Sequence, residues 1–203
     1  MVAAGAGTRF GGTKQFADLG GRRVVDWAIE AATAASDGVV VVLPPDAPLD
    51  TGCVAGGATR AESVRRGLAA VPVDADIILV HDAARPFAGA ELFTAVVDAV
   101  RSGADGAVPS VPVSDTVKQV DAAGVVVATP RRDSLVAVQT PQGFRAAALR
   151  RAHAGGGEGT DDAALVEAAG GRVVVVAGDP ANRKLTVPDD LVWARQRVVG
   201  ERR

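Results

Sequence analysis

The sequence predicts a single three-layer α/β domain with a mostly parallel sheet and a protruding antiparallel β-arm. Three observations carry this. Short β-branched runs, VVVVL at 39–43, DIILV at 76–80, GAVPSVPV at 106–113 and RVVVVA at 172–177, are almost wholly apolar, as strands covered on both faces are. Stretches near 23–35, 60–70, 89–102, 145–154, 161–169 and 189–199 carry apolar residues at helical spacing with charges between them, and their alternation with the strands is the pattern of a covered sheet. From about 111 to 140 the rhythm breaks: VSDTVKQVDAAGVVVATPRRDSLVAV holds short strands joined by DAAG and bounded by prolines, with no helix. That stretch reads as an arm. An arm of this length cannot bury both faces on its own sheet, so a homodimer contact through it is expected.

Bulk properties bound the function. The chain has 203 residues, enough for one well-packed domain over 1–203, with a formal net charge of -2. Without a broad excess of cations it is not expected to bind nucleic acid, and phosphate chemistry must rest on a few placed charges. The single Cys53 excludes an internal disulfide, and His81 and His153 are the only imidazoles. No apolar run reaches the roughly 20 residues of a membrane span. A cytoplasmic location, with no membrane partner, is expected. Lysine usage is informative: of 22 basic residues only Lys14, Lys118 and Lys184 are lysine. Each is a candidate for a role needing a compact ammonium.

In an open α/β sheet, ligands sit beyond the carboxyl ends of the strands. The loops there read AAGAGTR, GGATRAES, HDAARP, SDT, TPQG, TDD and NRKLT. The first opens almost at residue 1, in MVAAGAGTRFGGTKQF. It is not a dinucleotide fingerprint, because Phe10 stands where a third glycine is needed, and Gln15 after Lys14 breaks the Walker pattern. What remains is a glycine loop, Ala3, Ala4, Gly5, Ala6 and Gly7, followed by two cations, Arg9 and Lys14, spaced to reach one triphosphate. HDAARP follows DIILV directly, so Asp82 and Arg85 stand just past a strand end. An aspartate there suits a ribose hydroxyl or Mg²⁺, and an arginine suits a phosphate.

AAGAGTR with Lys14, VAGGATRAESV, LVHDAARP, PVSDTVK, AVQTPQGF, TDDAALVE and NRKLTVPDDL occur in this order. Over nearly its whole length the chain resembles the 2-C-methyl-D-erythritol 4-phosphate cytidylyltransferase family. HDAARP and TPQ are also similar to ribitol 5-phosphate cytidylyltransferases. The resemblance implies a Rossmann-like nucleotidyltransferase fold and transfer of CMP from CTP to methylerythritol phosphate, with Mg²⁺ or another divalent cation held mostly by the CTP phosphates. It places the triphosphate against Ala3 to Gly7, charge stabilisation at Arg9 and Lys14, and the cytosine at Gly57 and Ser63. Ribose and metal-bound phosphate fall at Asp82 and Ala83, with Asp82 the one candidate metal contact. Methylerythritol phosphate falls at Arg85, Thr116, Arg132 and Lys184, with Arg132 supplied across the dimer. Arg9, Lys14, Arg132 and Lys184 are the implied catalytic cations. The alternatives are a cytidylyltransferase for another sugar-alcohol phosphate and a non-catalytic nucleotide-binding relative.

Three departures from the family pattern carry expectations. Val2 replaces a proline and the hydrophobic first strand before it is missing; Ala58 replaces a frequent acidic residue; the stretch from Gly11 to Lys14 is short. The first leads to the expectation that the natural start lies upstream, with roughly eight or more further residues forming a first strand, since a mean strand is about five to six residues.

Overall fold

The computed structural model describes residues 1–8, 10–48 and 52–201. Nine strands and six α-helices are described among these residues. In chain order they are α1 (Val24–Ala34), β1 (Val41–Leu43), β2 (Cys53–Ala55), α2 (Arg60–Ala70), β3 (Ile77–Val80), α3 (Ala90–Arg101), β4 (Gly106–Pro112), β5 (Gln119–Val120), β6 (Val126–Ala128), β7 (Val136–Val138), β8 (Gln142–Arg145), α4 (Ala146–Ala154), α5 (Asp162–Ala168), β9 (Val173–Ala177) and α6 (Pro188–Glu201). All six helices lie where apolar spacing placed them. β2 and β8 are strands that the sequence reading did not separate, because both are short and neither is a β-branched run.

The α/β class and the layers stand, but the sheet is mixed. β1 pairs parallel with β2, and β4 parallel with β9. β8 runs antiparallel between β3 and β4. The reason is the arm: β4 leaves the sheet into it, and β7 and β8 bring the chain back in the opposite direction.

Strand alternation feeds two cores. On one face Ile78, Val80, Val108 and Phe144 pack with Val64 and Leu68 of α2, Leu149 of α4 and Val166 of α5. On the other, Ala107 packs with Val96 and Val100 of α3, flanked by Ile77 and Leu79. Deleting a fully buried ring such as Phe144, which is 0% exposed, costs about 3–5 kcal/mol in comparable cores.

The expected absence of a first strand is corrected in part. The N-terminal nitrogen of Met1 donates to Val40 O at 2.9 Å, and Ala3 N donates to Val42 O at 2.8 Å. On the other side Val2 N donates to His81 O at 2.7 Å and Ala83 N to Val2 O at 3.0 Å. Residues 1–3 thus sit in a central position, with Val2 bridged in parallel to Val42 on one side and Asp82 on the other. Beyond Met1, between the β1 and β3 edges, lies a cleft of about 840 Å³ lined by Met1, Val40, Leu68, Ile77, Leu79 and Phe93 among others.

The arm carries β5, β6 and β7. Val120, Val126, Val127, Val136 and Val138 along it are all exposed. No helix among the described residues is long and apolar enough to cross a membrane.

Candidate active site

The glycine loop leaves the stub of residues 1–3 and closes on itself. Gly7 O accepts from the N–H groups of Phe10, Gly11 and Gly12. Gly7 has φ +66°, and a Cβ there would stand 1.8 Å from Gly12 O, so only glycine makes this turn. Gln15, 3% exposed, donates from Nε2 to Gly5 O at 3.2 Å and braces the loop from beneath. The sequence reading missed Gln15, whose signal was a single amide between Lys14 and Phe16. Lys14 begins a short 3-10 turn, Lys14–Phe16, at the end of this loop. Arg9 lies outside the described residues.

The second loop abuts the first. A Cβ on Gly56 would stand 2.3 Å from Ala4 Cβ, so the glycine lets the two backbones touch. Ser63, 2% exposed, accepts from Gly57 N at 3.0 Å and donates to Thr59 O at 2.9 Å. Its hydroxyl therefore sets the shape of the loop around Gly57. Ala58 leaves its own position without a carboxylate, yet Ala58 N donates to Glu62 Oε2 at 2.7 Å, and Thr59 caps α2 through Glu62 N.

The third loop holds the densest charge. Asp82 N donates to Thr140 Oγ1 at 3.0 Å. Arg85 O can only accept, so His81 Nε2 carries the hydrogen it donates at 3.1 Å, and in the neutral ring Nδ1 accepts from the Thr140 hydroxyl at 3.0 Å. This requires neutral His81, and burial lowers its pKa to about 4. Lys184 Nζ donates to Asp82 Oδ2 at 2.5 Å, and Arg60 Nη2 lies 3.7 Å from Asp82 Oδ1. Burial opposes the Asp82 charge, but Lys184 and Arg60 outweigh it and bring its pKa down to about 2. Arg60 also pairs with Asp162 at 2.8 Å. Burial works against its charge too, and Asp162 and Asp82 carry its pKa above the ordinary value. Ala83, 1% exposed, is fixed by its N–H to Val2 O.

Lys184 arrives from the far end of the chain because its loop is clipped to the connection between β7 and β8 at 139–140. Gln139 Oε1 accepts from Asp179 N at 3.1 Å, and Asn182 Nδ2 donates to Thr140 O at 2.8 Å. Arg85 spans the same junction, donating to Asn182 O at 2.7 Å and Val138 O at 3.3 Å. Two of its donors are thus engaged with carbonyls, while its charge remains at the loop edge.

Structure therefore joins Asp82, Ala83, Arg85 and Lys184 directly, and Ala3, Ala4, Gly57 and Ser63 through the abutting loops. Thr116 and Arg132 stand on the exposed arm, where Arg132 Nη1 donates to Ser114 O at 2.9 Å. Sequence reasoning missed Arg60, Thr140, Gln139 and Asn182. Each lies within one of the sequence motifs, and its role follows only from what it touches.

The family model described as IspD, 2-C-methyl-D-erythritol 4-phosphate cytidylyltransferase, matches residues 1–199. An enzyme of that name from Rhodococcus jostii is 46% identical over 211 residues, covering 98% of this chain and 93% of the relative. The one from Streptomyces coelicolor is 46% identical over 229 residues, covering 100% of this chain and 84% of the relative. Among solved structures, the crystal structure of the Thermus thermophilus enzyme superposes with a TM-score of 0.84 at 38% identity, covering 98% of this chain and 97% of that one. With this match along almost its whole length, the chain belongs to the 2-C-methyl-D-erythritol 4-phosphate cytidylyltransferase family.

Proposed function

We infer that this chain transfers CMP from CTP to 2-C-methyl-D-erythritol 4-phosphate, releasing pyrophosphate, in the synthesis of isoprenoid precursors. The observation that carries the reading is the Lys184–Asp82 pair, set beside Val2, where the glycine loop begins.

The reaction joins two anions. A phosphate oxygen of the acceptor attacks the α-phosphorus of CTP, and the bond from that phosphorus to the pyrophosphate oxygen breaks. The attacking oxygen is already deprotonated at neutral pH, so no general base is needed, and positioning with charge stabilisation supplies most of the rate. That accounts for a site built from cations, with His81 buried and neutral in a supporting role.

Backbone from Ala3 to Gly7 wraps the triphosphate, and Arg9 and Lys14 balance charge developing at the α-phosphate. Gly57, shaped by Ser63, borders the cytosine. Asp82 and Ala83 meet ribose and the metal-bound phosphate. Arg85, Thr116, Arg132 and Lys184 receive the acceptor. Arg132 acts from a partner subunit through a dimer built on the arm, a reading supported by the exposed valines there.

A divalent cation fits this site only in one manner. Among the described residues no group of three His, Cys, Asp or Glu side chains could cage a metal. A Mg²⁺ that keeps waters and binds chiefly substrate phosphates needs only one or two carboxylates, and Asp82 is the carboxylate assigned to it in this reading. When bound, the ion neutralises triphosphate charge. A cytoplasmic location is part of the same reading.

The test is pyrophosphate release with CTP and methylerythritol phosphate, ribitol 5-phosphate or no acceptor, repeated with ATP in place of CTP. Methylerythritol phosphate with CTP is expected to be preferred by more than about tenfold in kcat/KM, a margin of about 1.4 kcal/mol. Equal use of ribitol 5-phosphate, or of ATP, would overturn the assignment.

A further inference from the structure

Behind the Lys184–Asp82 pair stands a second row of charges that the transfer reaction does not itself require. Asp162, the first residue of α5, is 0% exposed. His153 Nε2 of α4 lies 3.0 Å from its Oδ1, and Arg60 Nη2 of α2 lies 2.8 Å from its Oδ2. The same Arg60 nitrogen then reaches toward Asp82 Oδ1 at 3.7 Å, while Lys184 holds the opposite oxygen. His153, Asp162, Arg60, Asp82 and Lys184 thus form one continuous row through five separate segments.

Such a row is a poor device for stability alone. A fully buried carboxylate is costly, and well-packed apolar residues of similar volume often stabilise as well or better. What an apolar contact cannot do is aim a second carboxylate. A planar guanidinium offers several donors in fixed directions, which lets one side chain hold two acids in a set geometry.

We propose that Arg60 is a positioning residue for CMP transfer: anchored by buried Asp162, it holds the Asp82 carboxylate from the side opposite Lys184 and so keeps the Lys184 ammonium aimed at the acceptor. The proposal rests on the reading of Asp82 and Lys184 as site residues. Arg60 also opens the helix that follows the Gly56–Gly57 loop. Movement at the nucleotide loop is thereby coupled to the acceptor cation.

Arg60→Lys supplies a charge for Asp162, but its shorter stem and compact ammonium lose the guanidinium's fixed reach toward Asp82. The expected result is a fall in kcat of at least about tenfold, with the Kd for CTP measured by calorimetry changing less than about threefold. The thermal midpoint is expected to move by less than about 3 °C. Guanidinium ion added to Arg60→Ala is expected to recover part of kcat. A kcat within about twofold of the parent in Arg60→Lys, or a loss that tracks the midpoint alone, would overturn the proposal. Should that variant unfold, Arg60→Gln with Asp162→Asn replaces the buried ion pair by two amides. This double variant is expected to fold and remain slow, and parent-like turnover in it would equally overturn the proposal. Asp82→Asn separates the two layers of inference. If Asp82→Asn is parent-like, the underlying reading of the site fails. If Asp82→Asn is slow while Arg60→Lys is not, only the role of Arg60 is rejected.

Discussion

Lys184 Nζ lies 2.5 Å from Asp82 Oδ2 although 102 residues separate them in the chain. The aspartate is nearly covered and the lysine side chain is 39% exposed, so the ammonium is anchored on one side and open on the other. With Asp82 titrating at about 2, the carboxylate is ionised throughout the neutral range. Lys184→Ala is expected to lower kcat/KM for methylerythritol phosphate at least about a hundredfold, or about 2.7 kcal/mol of transition-state stabilisation. Parent-like turnover of that variant in a pyrophosphate-release assay would remove Lys184 from the mechanism.

Contact between the first two loops gives a second expectation. A Cβ on Gly56 would meet Ala4 Cβ at 2.3 Å and Ser63 Oγ at 3.0 Å, so Gly56→Ala must push the glycine loop outward. CTP affinity is expected to weaken by about tenfold or more. Adding Ala4→Gly removes the clashing methyl and is expected to return part of the affinity, a coupling that double-mutant calorimetry measures. Independent, additive effects would show that the loops do not bear on one another.

The proposed shared site predicts subunit complementation. Arg132→Ala and Lys14→Ala chains, each inactive alone, are mixed and allowed to exchange subunits. One hybrid site then has both groups intact, and activity is expected to reappear. Hybrids that form by native mass spectrometry yet stay inactive would show that Arg132 does not act across the arm.

The cleft beside Met1 makes a fourth expectation, on stability and pH. Burial lowers the Met1 ammonium from 8.0 to about 6. The unfolded chain therefore takes up this proton at higher pH than the folded one, and stability falls as pH drops from about 8 to about 6. The full effect is at most about 2.7 kcal/mol, two pKa units at 1.36 kcal/mol each. Acetylation of the Met1 amine removes the titrating group. Urea titrations at pH 5.5, 7 and 8.5 are expected to show that slope in the unmodified chain and not in the acetylated one. Equal slopes in the two would show that the Met1 ammonium is not the group responsible.

By itself, the sequence determined the fold class, the six helices and most of the strands. Apolar periodicity is a local property, and it placed all six helices, because each needs one stripe of Ala, Val or Leu against the sheet. Glycines, Asp82, Lys14 and Lys184 likewise marked in the sequence the loops for which a phosphate role is proposed. Tertiary structure alone decided the rest. Whether β8 runs parallel or antiparallel depends on how the arm returns the chain, and no residue in Gln142–Arg145 encodes a direction. Arg60 is one of 19 arginines until the fold sets Asp162 on one side of it and Asp82 on the other. Pairing across a long separation in sequence follows from which loops the sheet brings together, so the partner of Lys184 could be read only from the folded chain.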